Sequence, residues 1–132
     1  MNISAFITHS KGQIHTEVKT GDQIKTLALT SKADGNGSGI NGGELLFLAL
    51  ATCYCNDLYR EANRRNMEIQ SVQVFVSGQF GKEGAPASNI RYRVDVKSGH
   101  DESEIRSLIT YVDQVAEVHN TLRLGAKVSL EL

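Results

Sequence analysis

A chain of 132 residues in which short alternating apolar segments flank one long apolar helix-forming stretch should build an α+β domain. Three observations point there. Residues 45–55, LLFLALATCYC, are apolar all round a helical wheel apart from Thr52. Val72, Val74 and Val76, then Ile90, Tyr92, Val94 and Val96, recur at every second position, which is strand period. From Ile105 to Leu122 the apolar residues shift to helical spacing.

The elements follow in order. NISAFITH, GQIHTEVKT and QIKTLALTS read as three strands, separated by the tight-turn sequences SKG and GD. In the second, Ile14, Thr16 and Val18 alternate with His15, Glu17 and Lys19, so the three are expected to form a meander. Residues 32–43, KADGNGSGINGG, are too rich in Gly and Asn for regular structure and form a loop that feeds a helix from Glu44 onward. That loop lacks the lysine and the spacing of a phosphate-binding loop. Beyond Asn56 the helix keeps Leu58, Tyr59 and Ala62 as an apolar stripe, while Asp57, Arg60, Glu61, Arg64 and Arg65 are expected to face water.

IQSVQVFVSGQF and SNIRYRVDVKS, joined by GKEGAPA, predict a hairpin. Asp101 and Glu104 have capping-box spacing, and a helix, whole or broken in two, runs from about residue 102 to 122. GAKVSLEL alternates as a closing strand with Val128, Leu130 and Leu132 on one face. The predicted order is three strands, a helix, two strands, one or two helices and a strand, all in a single domain spanning residues 1–132.

Composition narrows the function classes. Fourteen Lys and Arg stand against 15 Asp and Glu, and they are scattered, so neither nucleic acid nor a membrane surface is an expected partner. The N-terminal MNISAFITHSKGQ lacks the build of a signal peptide, and no run approaches the roughly 20 apolar residues of a membrane span; the protein is expected in the cytoplasm. In that reducing compartment Cys53 and Cys55 are free thiols or a working pair rather than a structural staple. No His or Cys spacing suggests a metal site, and no cofactor is expected.

A helix apolar on all sides must be buried on all sides, and a single layer of about six strands with one or two further helices cannot wrap it. A second copy of the chain completing the core is the simplest solution, which predicts an obligate homodimer.

Successive helical residues are about 100° apart, so Cys53 and Cys55 diverge by about 200° and should not bond to each other. Each is either a small core hydrophobe or, for one of them, a nucleophile. A nucleophilic thiol needs a lowered pKa. Cys53 lies more than two turns into its helix, beyond the reach of the helix dipole, so a cation would have to supply the shift. His119 lies on the apolar face of its helix with Val115 and Leu122. It is either a core or interface histidine bonded to backbone, or a residue that faces Cys53 across the interface and charges the site. His9, His15 and His100 fall on exposed faces or loops.

GGELLFLALATCYCNDL, then REANRRNMEIQSVQVFVSG, and VHNTL before the closing strand resemble the OsmC/Ohr family of osmotically induced and organic hydroperoxide resistance proteins. The resemblance spans nearly the whole chain from Asn41 on. It implies an intertwined α+β homodimer with the cysteine-bearing helix at its centre. It also implies thiol-dependent peroxidase chemistry, in which a peroxidatic cysteine becomes a sulfenic acid and a second cysteine before the last strand resolves it. Residue by residue, the peroxidatic position is Cys53, and Cys55 has no family role. Val118 to Leu122 match the late motif, but Ala116 and Glu117 stand at its cysteine and proline positions, so the resolving cysteine is absent. The family's glutamate falls on Gly43, with Glu44 one residue late as a substitute. Its N-terminal arginine has no counterpart, because the first arginine is Arg60; Lys19 or Lys25 would supply charge without the guanidinium fork.

The resemblance therefore implies a relative of thiol peroxidases with Cys53, Glu44 and His119 as site residues and weak or altered activity, dependent on an external thiol reductant and a hydroperoxide. A different class remains open beside it: a non-enzymatic module that binds a small hydrophobic ligand at the dimer interface and uses Cys53 as packing.

Overall fold

The computed structural model describes residues 1–132, which divide into two compact units, Met1–Leu45 and Leu46–Leu132. In the first unit β1 (Ile3–Ser10), β2 (Gln13–Thr20) and β3 (Gln23–Lys25) form the expected antiparallel meander. The register runs from Ile3 opposite Thr20 to Ser10 opposite Gln13. The two-residue β1–β2 turn puts Lys11 and Gly12 at φ 53° and 73°, the left-handed pair that matches strand twist. The third strand is shorter than its sequence suggests. It ends at Lys25, and the Thr16 hydroxyl takes the Leu27 carbonyl in place of a ladder bond.

The helix α1 (Gly42–Arg64) begins two residues earlier than expected, because Asn41 caps it. The Glu44 N–H donates to Asn41 Oδ1 at 2.8 Å, and the Asn41 N–H donates to Glu44 Oε1 at 3.1 Å, a reciprocal capping box.

In the second unit β4 (Ile69–Gln79) and β5 (Ser88–Ser98) form the predicted hairpin. Val72 faces Val96, Val74 faces Val94 and Val76 faces Tyr92, so the alternating residues meet on one side. Against that side pack Tyr54, Leu58 and Ala62 of α1 and Leu108 and Val112 of α2 (Glu102–Val115), all 1% exposed or less. The Asp101 N–H donates to Glu104 at 3.3 Å in the predicted capping box. The last helical segment does break: α3 (Glu117–Arg123) follows α2 after Ala116, whose ψ of 107° is extended.

Two expectations fail. GAKVSLEL forms no strand and pairs with none of the open sheet edges, and Val128 and Leu130 are 93% and 84% exposed. Asp57, expected in water, is 6% exposed. It lies one helical turn below Cys53, on the face that also carries Tyr54 and Leu58, and it is tolerated there because it is paired.

Within Leu46–Leu132 the hairpin and α2 cover one face of α1. Leu50, Tyr54, Leu58 and Ala62 are buried, while Leu48 and Tyr59 are 57% and 46% exposed. No helix is long and apolar enough to cross a membrane.

Candidate functional site

Cys53 and Cys55 are both free and, as helical geometry requires, serve different surroundings. Cys55 lies with Ala51, Thr52, Asn56 and Val74 around a shallow surface depression. Cys53 faces the junction of α2 and α3. Its Sγ–H donates to Asp57 Oδ2 at 3.7 Å, and the backbone N–H groups of Val118 and Glu117 bear on the sulfur. Asp57 is held in turn by Arg60 at 2.8 Å.

These groups act on the thiol in opposite senses. Burial pushes it up most strongly; the Val118 N–H pulls it down; the charge of Asp57 and the bond to its carboxylate push it up again, and the Glu117 N–H opposes weakly. The sum is a thiol raised above its ordinary range, which is protonated at neutral pH. No arginine or lysine bonds to the sulfur.

His119 is 4% exposed, and neither ring nitrogen has a hydrogen-bond partner. Its ring lies edge-on to Tyr92 with centroids 4.8 Å apart, and 6.0 Å from Tyr54. Burial, then the positive charge of Arg123, hold the imidazole below its usual range against the weaker pull of Asp113 and Asp57. It is neutral at pH 7 and forms no bond to Cys53. Glu44 lies nine residues before Cys53, roughly 13.5 Å along the helix axis, and its carboxylate closes the Asn41 capping box.

Sequence reasoning missed two groups. Asp57 had a legible signal, since a carboxylate four residues after a cysteine on a helix shares its face. The second group gave none. Asp113 of α2 receives the Tyr92 hydroxyl and, at 2.6 Å, Arg123 Nη2, which joins β5, α2 and α3 at residues far apart in sequence. Burial would raise the Asp113 carboxyl, but these two donors outweigh it and hold the carboxyl low.

An α+β chain with a cysteine on a long central helix, packed between a hairpin and a broken helical segment, defines a recognisable class. The model of the family described as OsmC-like protein matches residues 35–131, and the chain belongs to that family. Its fold is similar to that of an OsmC-like protein from Mycoplasma pneumoniae (TM-score 0.65, 20% identity, 95% of this chain and 87% of the other). It is also similar to an organic hydroperoxide resistance protein from Elizabethkingia anophelis (TM-score 0.63, 17% identity, 95% and 90%). A third similar structure is the organic hydroperoxide resistance protein OhrB of Bacillus subtilis (TM-score 0.58, 18% identity, 100% and 98%). No curated protein sequence matches it.

Proposed function

We propose that this protein is a slow, single-thiol hydroperoxide reductase that works as a cytoplasmic homodimer, with Cys53 as its nucleophile. One observation carries the reading: Cys53 alone of the two thiols sits at a helix junction where backbone N–H groups of Val118 and Glu117 bear on its sulfur. The names of similar structures supply the substrate class, an organic hydroperoxide. Dimerisation is supported by the uncovered side of α1 and by an unpaired, alternating C-terminal segment, which together leave more apolar surface open than a monomer usually tolerates.

In the reaction the Cys53 proton is lost first, to solvent, against the opposing charge of Asp57. The thiolate attacks the outer peroxide oxygen; an S–O bond forms, the O–O bond breaks, and the leaving alkoxide takes a proton to become an alcohol. Cys53 is left as a sulfenic acid. Ala116 cannot resolve it, so one external thiol displaces water to give a mixed disulfide. A second external thiol then releases Cys53 and leaves as the symmetric disulfide. The raised thiol makes the first step slow.

The test is consumption of cumene hydroperoxide in the presence of dithiothreitol. The wild type and Cys55→Ser turn it over slowly and equally, and Cys53→Ser not at all. Turnover that survives Cys53→Ser contradicts the assignment.

A further inference from the structure

The β4–β5 hairpin has a second face. Val72, Val74 and Val76 meet Val96, Val94 and Tyr92 on the side that packs against α1 and α2. The other side carries Gln73, Phe75 and Ser77 of β4 opposite Asp95, Arg93 and Arg91 of β5. All six are exposed, and Phe75 keeps 52% of its surface open.

The two arginines on that face differ from the others in the chain. Five of the seven arginines lie within ion-pair distance of a carboxylate: Arg60 of Asp57, Arg64 and Arg65 of Glu61, Arg106 of Glu102, and Arg123 of Asp113. Arg91 and Arg93 pair with none, although Asp95 stands two residues beyond Arg93 on the same face. Arg93 instead lays its guanidinium over the Phe75 ring, 4.4 Å from the centroid. Its charge is left unneutralised.

Beside this pair the surface is concave. A groove of about 480 Å³ is lined by Phe75, Ser77, Gln79, Asn89, Arg91 and Arg93, with no carboxylate among its walls. The ladder shifts register between Ser77 and Gln79, where Asn89 takes a left-handed φ of 52°, a conformation that asparagine tolerates better than most residues. Asn89 Nδ2 donates to Gln79 Oε1 at 3.0 Å. That bond uses the acceptor of Gln79 and leaves its amide N–H groups as donors.

The chemistry of these walls selects a ligand. Each guanidinium offers a planar fork of N–H donors that matches an oxyanion, and two forks set about 7 Å apart along one strand can close on a single anion through their flexible stems. A carboxylate is filled by one fork, whereas a phosphoryl group has oxygens for both. Phe75 adds an aromatic surface for the body that bears the phosphoryl group. Two free cations, with Asp95 next along the strand, are too short a basic track for a nucleic-acid strand.

We propose that the outer face of the β4–β5 hairpin is a binding site for a small phosphate monoester with an aromatic body, its phosphoryl group held between Arg91 and Arg93 and its ring resting against Phe75. The site lies on the face of the hairpin turned away from α1, the helix that carries Cys53.

Isothermal titration of the full-length protein with phenyl phosphate, inorganic phosphate, benzoate and decathymidylate tests it. Phenyl phosphate should bind saturably, and several-fold more tightly than inorganic phosphate or benzoate. Arg91→Gln and Arg93→Gln should each weaken phenyl phosphate about tenfold, the worth of a charge-assisted hydrogen bond, while Arg106→Gln, on α2, changes nothing. Phe75→Thr should bring phenyl phosphate to the level of inorganic phosphate and leave inorganic phosphate as it was. These side chains are exposed, and the circular dichroism of each variant checks that the fold is kept. Absence of saturable binding up to about 10 mM, binding that survives both arginine substitutions, or equal affinity for phenyl phosphate and inorganic phosphate would overturn the proposal. Preference for benzoate would overturn the phosphoryl assignment, and tighter binding of decathymidylate would make the face a nucleic-acid surface instead.

Discussion

Cys53 and Cys55 lie two residues apart on one helix, yet the fold treats them as unrelated groups. Cys53 turns to a junction of helices, where a buried carboxylate and two backbone N–H groups meet its sulfur. Cys55 turns to a shallow surface beside Val74. Helical pitch decides the difference, and the residues four positions on complete it: Asp57 stands one turn after Cys53, whereas the residue one turn after Cys55 is the half-exposed Tyr59. A cysteine's role is therefore set by what its helix face is packed against.

The largest expected effect comes from loosening that packing. Leu58→Ala removes a side chain with no exposure between α1, α2 and the hairpin, and should cost about 3 kcal/mol by chemical denaturation. Loss of Cys53 alkylation specificity should accompany it. Next is Asp57→Asn, which removes the charge that raises the Cys53 thiol while keeping its size. The alkylation rate of Cys53 at neutral pH should rise several-fold, with no change at Cys55.

A pH effect follows at His119. Its folded-state pKa is lowered, so the neutral form contributes stability that is present above the unfolded value of about 6.5 and is lost as pH falls through the lower folded value. Denaturant midpoints should fall below pH ~6.5 in the wild type, and His119→Phe should flatten that part of the profile. The smallest effect belongs to Cys55→Ser, which should change stability by less than about 0.5 kcal/mol because the site is near the surface.

The sequence made the strands, the hairpin pairing, the capping box of α2 and the break between α2 and α3 legible, because each rests on local spacing or on a two-strand register. GAKVSLEL has the same alternation as β5 and forms no strand. Alternation tells which face a residue takes, but whether a segment pairs, and with which strand, is set by residues elsewhere in the chain. The candidate site was legible only as residue types. Cys53, His119 and Glu44 stood out by residue type, but their contacts were not visible: the Asp57 contact of Cys53, the capping box that occupies Glu44 away from the thiol, and the linkage of Tyr92 and Arg123 through Asp113. Folding brings those groups together from separate elements, and no spacing within one element reports them.

The most direct measurement is the pH dependence of Cys53 alkylation in Cys55→Ser protein, followed by stopped-flow exposure to cumene hydroperoxide. The account predicts a midpoint above the ordinary thiol value of about 8.5, slow but complete oxidation of Cys53, and an oxidation rate that rises with pH along the same curve. A midpoint below that value would contradict the raised thiol. A Cys53 that neither reagent reaches would contradict its assignment as the nucleophile.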